Sequence, residues 1–402
     1  MNGEIKNVGV VGLGVMGFDI AFLYAMKGYP TLAYDSLTPV VDSMTERREQ
    51  TIERLRKRNR ISDDEIANVR TNLASSPDLQ GLAAADLLTE AVSENAKAKL
   101  AVYDALKNAG FEGILTTNTS SITRSSLLER GAYHRQKFAS THFFNPVLHT
   151  QMVEVVRGDM DQIAFDTTVS ILRTLGRQPI ETQDISGFVS NSILMVYAVM
   201  ALRLLECGAR IEEVDQVAKE TRLLPPFISF DSWKPSIVED VTQLMFEHRG
   251  DHFLRSSKLL SAISRENPKF YINQEANEEI YQFVDHRGRK PNQNATKQAL
   301  KTAIWIAAAN VVEAGESPGT VDFISTEGIK IPEPPLQDID KIGAAHVLEL
   351  LASTNREISG EALSPPALLV TMAREGQTFF SNGQPNPWLS SNLQPRIKDA
   401  RH

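Results

Sequence analysis

Only one cysteine, Cys207, stands among 402 residues. A single thiol excludes an intrachain disulfide and an all-thiolate metal site, and it fits a reducing compartment such as the cytoplasm. Long apolar runs are also missing. The longest, Ile193–Leu202, has ten residues, about half of the ~20 needed to span a membrane. A buried core helix is expected there, and no membrane partner. The opening residues, Met-Asn-Gly-Glu-Ile-Lys, run into a short apolar stretch and then glycines, so no secretory leader is expected. Excess positive charge is absent too. With 42 Lys+Arg against 50 Asp+Glu the formal net charge is −8, which gives little general attraction to nucleic-acid phosphates. The histidines are scattered, and His248 with His252 is the sole i, i+4 pair. No third ligand lies close in sequence, so no metal is expected.

What is present is ordinary globular composition, 42% hydrophobic and 23% charged, in a chain long enough for two or three cores. Residues 1–183 alternate short apolar runs with amphipathic stretches, as in an α/β domain with a parallel sheet. Strands are predicted at Asn7–Val11, Thr31–Tyr34, Leu87–Glu90, Ile114–Thr117, Phe138–His142, Met152–Val156 and Gln178–Glu181. The segment Thr38–Arg70 reads as helical and rich in arginine. It is either a solvated face or an arm contacting phosphates of a large anionic substrate, with Arg54 and Arg56 as candidates. From Gly187 onward the texture is all-α. Glu206-Cys-Gly208 with Val214-Asp215 recurs 107 positions later as Glu313-Ala-Gly315 with Val321-Asp322, and a proline pair follows each copy. Two repeated helical units are expected, 184–290 and 291–402, packed on each other. The stretch Gly376–His402 reads as an irregular tail.

Gly12-Leu-Gly14-Val15-Met16-Gly17 follows the first strand and opens a helix. In that context G-x-G-x-x-G is a dinucleotide loop: Gly12 allows the turn, Gly14 admits the pyrophosphate, and Gly17 allows close helix–strand packing. Asp35 ends the second strand, eighteen residues after Gly17. A carboxylate there accepts ribose hydroxyls and repels a 2′-phosphate, which points to NAD as cofactor.

Further segments share a pattern with this loop: Glu90-Ala-Val-Ser-Glu94 with Lys99, Asn118-Thr-Ser120-Ser121, His142-Phe-Phe-Asn145-Pro146, Met152-Val-Glu154 and Gly187-Phe-Val-Ser-Asn191. In order and spacing they resemble the L-3-hydroxyacyl-CoA dehydrogenase family from Val8 to about Asp231. The second helical copy resembles the tandem C-terminal repeats of bacterial fatty-acid oxidation multienzymes. The resemblance implies a Rossmann-like domain followed by helical domains, and NAD-dependent, reversible oxidation of an L-3-hydroxyacyl thioester. It implies His142 as general base, an imidazole able to titrate near neutral pH, with Glu154 fixing its tautomer. It implies Ser120 and Asn191 on the substrate's 3-oxygen, Asn145 shaping the loop, Glu94 and Lys99 on the nicotinamide-ribose side, and Asn118 near the nicotinamide. Ser120 could instead be a helix N-cap, and Asn145 a turn residue.

Asp19, Gln151, Ser192 and Pro225 depart from the family pattern. They leave the His–Glu pair intact and open a specialised acyl chain, or an acyl-carrier-protein thioester, as an alternative to acyl-CoA. Another β-hydroxyacid dehydrogenase would use a lysine in a later helix; the helix after Gly187 carries Asn191 and no nearby lysine. A non-catalytic NAD-binding relative would have lost the base or its partner. The resemblance implies a homodimer, but the second helical copy could take the partner's place and leave a monomer.

Overall fold

The computed structural model describes residues 5–76, 78–131, 133–285, 289–358 and 360–393. It divides into two compact units, Met1–Asp184 and Ile185–His402. The first holds one eight-stranded sheet: β1 Val8–Val11, β2 Thr31–Tyr34, β3 Leu73–Ser76, β4 Leu87–Glu90, β5 Ile114–Thr117, β6 Phe138–Phe143, β7 Met152–Val156 and β8 Gln178–Glu181. The order is β3-β2-β1-β4-β5-β6-β7-β8. All neighbours are parallel except β6 and β7. The central strands β1, β4 and β5 are buried along their whole length, as a sheet covered on both faces requires. The strand order reverses between β1 and β4. Ligands of open α/β sheets gather at the carboxyl ends of the strands at such a point.

β3 was not among the predicted strands, because Leu-Ala-Ser-Ser has no apolar run. It joins the edge through parallel pairing with β2 alone. The arginine-rich segment is three helices, Thr38–Asp42, Met44–Arg56 and Asp63–Asn72. They are broken at Asn59, whose φ is 52°, and the last opens with a Ser62–Glu65 capping box.

In the second unit the 19-residue helix Phe188–Glu206 packs along Gln293–Glu313. Its composition and length would suit a membrane span, yet 89% of its apolar window is buried against the protein. The segments expected as two helical domains thus lie in one compact unit, because these two apolar helices cover each other. The repeat reaches further than the sequence indicated. The Asp215 carboxylate accepts the N–H groups of Phe227 and Ile228, and Asp322 accepts those of Leu336 and Gln337. Asp231 likewise holds the N–H groups of Phe270 and Tyr271, and Asp340 those of Phe379 and Phe380. Part of the expected irregular tail is therefore ordered by the second copy, with a hairpin, Phe380–Ser381 with Gln384–Pro385, and a helix Pro387–Asn392. Residues 394–402 of that stretch lie outside the described residues.

Candidate active site

The glycine loop joins β1 to the helix Val15–Met26. Gly12 has φ +91°, and a Cβ there would lie 2.6 Å from the Ala91 carbonyl oxygen. A Cβ on Gly17 would lie 1.8 Å from the Gly12 carbonyl oxygen, so only glycine allows this helix to sit against the strand. A Cβ on Gly14 would meet nothing within 4 Å. That open space, at the positive end of a helix, is where backbone and pyrophosphate meet. Val15 is exposed there and Met16 is half-buried. Asp35 follows β2, and its carboxylate accepts the N–H groups of Leu13 at 2.7 Å and Leu37 at 2.9 Å. The residues present fit a dinucleotide.

Two charged side chains, Arg47 and Asp19, lie beside the loop. Arg47 donates to the carbonyls of Leu13 at 2.7 Å and Gly14 at 3.2 Å, with its guanidinium 4.2 Å from the Phe18 ring centre. Burial pushes Asp19 up to about 6, against the opposing charges of Arg54 and Arg47. Arg54 therefore bears on the loop. Arg56 stays 68% exposed, 4.0 Å from Asp63, as on a solvated face. Burial lowers the His149 pKa, and Arg60, Arg58 and Arg54 lower it further, so part of the arginine segment forms a positive cluster.

The antiparallel junction of β6 and β7 aligns His142 with Glu154. Directly opposed residues project to the same face, and the His142 Nδ1 to Glu154 Oε2 distance is 2.8 Å. Glu154 is 0% exposed and His142 6%. A carboxylate this dry fixes the proton on Nδ1, which puts the basic lone pair on Nε2. Asn118, at the end of β5, accepts the Phe143 N–H at 3.0 Å and so pins the end of β6 beside this imidazole. Asn145 is exposed just beyond.

The turn after β5 is organised by Glu94. One carboxylate oxygen accepts the N–H groups of Ser120 and Ser121 and the hydroxyls of Thr119 and Ser121, at 2.6 to 2.9 Å. Ser120 is not a helix cap; Thr123 caps the helix Arg124–Glu129. The Lys99 ammonium is fully buried, 3.0 Å from Glu90 and 3.5 Å from Glu94. Asn191 is in the first turn of Phe188–Glu206, in the helical unit. Neighbouring Ser192 is buried there and accepts a hydrogen bond from Arg249 at 2.5 Å. Among the described residues no group of three His, Cys, Asp or Glu side chains could hold a metal ion.

A glycine cradle at the switch point and a buried His–Glu pair on the same sheet define a dinucleotide-dependent dehydrogenase class. The family models for the NAD binding domain and the C-terminal domain of 3-hydroxyacyl-CoA dehydrogenase match residues 7–185 and 187–275. The mitochondrial hydroxyacyl-coenzyme A dehydrogenase of Rattus norvegicus is 31% identical over 224 residues, 54% of this chain and 71% of the rat protein. The chain belongs to the 3-hydroxyacyl-CoA dehydrogenase family, and its first unit is an NAD-binding domain. The fatty acid oxidation complex subunit alpha of Pseudomonas savastanoi pv. phaseolicola is 27% identical over 415 residues, 94% of this chain. The chain spans 56% of that relative's length. A solved (S)-3-hydroxybutyryl-CoA dehydrogenase from Ralstonia eutropha has TM-score 0.59 and 26% identity, covering 65% of this chain and 94% of that one. The 3-hydroxybutyryl-CoA dehydrogenase of Escherichia coli K12 shares the fold across both units, with TM-score 0.76 and 20% identity, covering 92% of this chain and 99% of that one.

Proposed function

We propose that the chain catalyses the reversible, NAD-dependent oxidation of an L-3-hydroxyacyl-CoA to the 3-oxoacyl-CoA. The observation that carries this is the buried contact of 2.8 Å between His142 and Glu154, on the sheet that bears the glycine cradle. When bound, NAD supplies the carbon that accepts hydride. His142 Nε2 takes the proton of the substrate hydroxyl, and the Glu154 carboxylate stabilises the resulting imidazolium. Ser120 hydrogen-bonds the 3-oxygen, and the His142 imidazolium returns the proton in the reduction. The positive cluster of Arg54, Arg58 and Arg60 about His149 supports a phosphate-rich CoA carrier.

We also propose a monomer, because the second helical copy already covers the helix Phe188–Glu206. Sedimentation at micromolar concentration should give a single species of 44.6 kDa; a stable dimer would refute this. Activity is tested by following NADH absorbance with 3-oxoacyl and 3-hydroxyacyl thioesters of several chain lengths, on CoA and on a carrier protein. Turnover with the CoA esters is expected. Turnover of free hydroxyacids alone, surviving His142→Gln, would overturn the assignment.

A further inference from the structure

The helix Met44–Arg56 sends one long side chain back onto the dinucleotide loop. Arg47 Nη1 donates to the Leu13 carbonyl at 2.7 Å and Nη2 to the Gly14 carbonyl at 3.2 Å. Its guanidinium also lies 4.2 Å from the centre of the Phe18 ring, on the helix that the loop opens. A pair of carbonyls and an aromatic face together fix the plane of a guanidinium. A peptide group is planar and trans, so a C=O and the N–H that follows it point in opposite directions. Holding the carbonyls of Leu13 and Gly14 from one side therefore turns the N–H groups of Gly14 and Val15 to the other. Among the described residues those two N–H groups meet no protein acceptor. They are open donors of a helix start, at the place where a Cβ on Gly14 would meet nothing within 4 Å.

Charge is gathered around the same guanidinium. Asp19 lies one turn into the helix Val15–Met26, with Arg54 and Arg47 as its opposing charges. The carboxylates of Asp19 and Asp35 both bear on Arg47 in return. A guanidinium is charged at every pH at which the chain is folded. An anion entering the loop near Asp19 meets like charge, and a fixed cation beside it offsets that repulsion. We propose that Arg47 is a cofactor-positioning residue: bonded to the carbonyl side of the loop, it holds the amide side ready for the pyrophosphate, and its positive charge offsets the Asp19 carboxylate. This rests on the NAD-binding domain and not on the acyl substrate.

The test uses the full chain, with NADH as probe in a fluorescence titration at pH 8 and low salt. Arg47→Met should raise the NADH dissociation constant at least about tenfold. Tm without NADH should fall by less than about 5 °C, because the side chain is only half-buried. Asp19→Asn should tighten NADH binding by a larger factor in Arg47→Met than in the native background, since the carboxylate is then less shielded. Added salt should narrow the gap between the native chain and Arg47→Met. Arg47→Gln is neutral but can still donate to a carbonyl, and it carries the same cycle should Arg47→Met not fold. An NADH dissociation constant within about twofold of native in these variants would overturn the proposal, as would strictly additive effects of the two substitutions. A lowered Tm with affinity intact would make Arg47 a structural clamp alone and overturn it too. A chain that shows the expected NADH behaviour yet turns over no acyl thioester would leave Arg47 in its role and overturn the proposed function instead.

Discussion

Glu154→Gln tests the heart of the chemistry while leaving shape almost untouched. Glu154 is 0% exposed and sits on β7, between β6 and the edge strand β8, 2.8 Å from His142 Nδ1. A buried hydrogen bond to a charged group is worth about 1.5–3 kcal/mol net. At about 1.4 kcal/mol per tenfold in rate, losing that charge alone slows the reaction roughly 10- to 150-fold. The amide adds a second fault. Its NH2 can donate to Nδ1, which moves the ring proton to Nε2 and removes the base; such a tautomer error costs up to about 10⁴-fold. A fall in kcat of about 10²- to 10⁴-fold is expected for acetoacetyl-CoA reduction followed by NADH absorbance. The NADH dissociation constant, from fluorescence titration, should stay within about twofold, because β7 is separated from β1 by β4, β5 and β6. A kcat within about threefold of the native value would refute the assignment of His142 as a base poised by Glu154.

Gly14 and Gly17 should separate stability from binding. Gly17→Ala puts a methyl 1.8 Å from the Gly12 carbonyl and should lower stability by roughly 1–3 kcal/mol, read as a drop in Tm, with NADH binding lost. Gly14→Ala meets no protein atom within 4 Å, so its Tm should hold while NADH affinity falls; retained affinity would show that the nucleotide does not approach there. Asp19, pushed up to about 6 by burial, becomes an anion above that pH close to the phosphate cradle. Native NADH affinity should therefore weaken as pH rises through 6, and Asp19→Ala should tighten binding at pH 8 about two- to fivefold, worth ~0.3–1 kcal/mol, with little change at pH 5. The same shift has a stability sign. Between 3.8 and about 6 the folded chain holds a proton that the unfolded chain has released, so Asp19 lowers stability as pH rises across that window. Asp19→Asn should flatten the corresponding slope of Tm against pH, and an unchanged slope would count against it.

Much of the site is legible in the sequence because its parts are local or repeat a pattern with a physical cause. The glycine loop works through backbone conformation, which glycine spacing encodes directly, and the His142–Glu154 pair needs only a turn between two apolar strands. Features made by distance or by burial were not legible. β3 carries Leu-Ala-Ser-Ser, and its strand state comes from pairing with β2 rather than from its own pattern. Arg47 sits in a crowd of arginines, and no periodicity says which of those long side chains folds back across more than thirty residues onto Leu13 and Gly14. The tail hairpin has two-residue strands, too short for any alternation to show. Its signal lay in the repeat, because Asp340 and Phe379 stand 109 positions after Asp231 and Phe270, and each aspartate caps the hairpin of its own copy.

Lys99 shows most clearly why residue type alone misleads. A lysine five residues after Glu94 on a helix has the pattern of a surface charge or a ligand contact. Its partner set identifies it instead: Glu90 lies on a central strand, and Tyr103 lies one helical turn further along the same helix. An ionised carboxylate on a strand that is otherwise apolar needs a buried cation, and the helix packed over that strand must supply it. The combination of Glu90, Lys99 and Tyr103 therefore carries the information that Lys99 alone does not. It ties Lys99 to the buried framework of Glu90, Glu94 and Tyr103 behind the Ser120 turn.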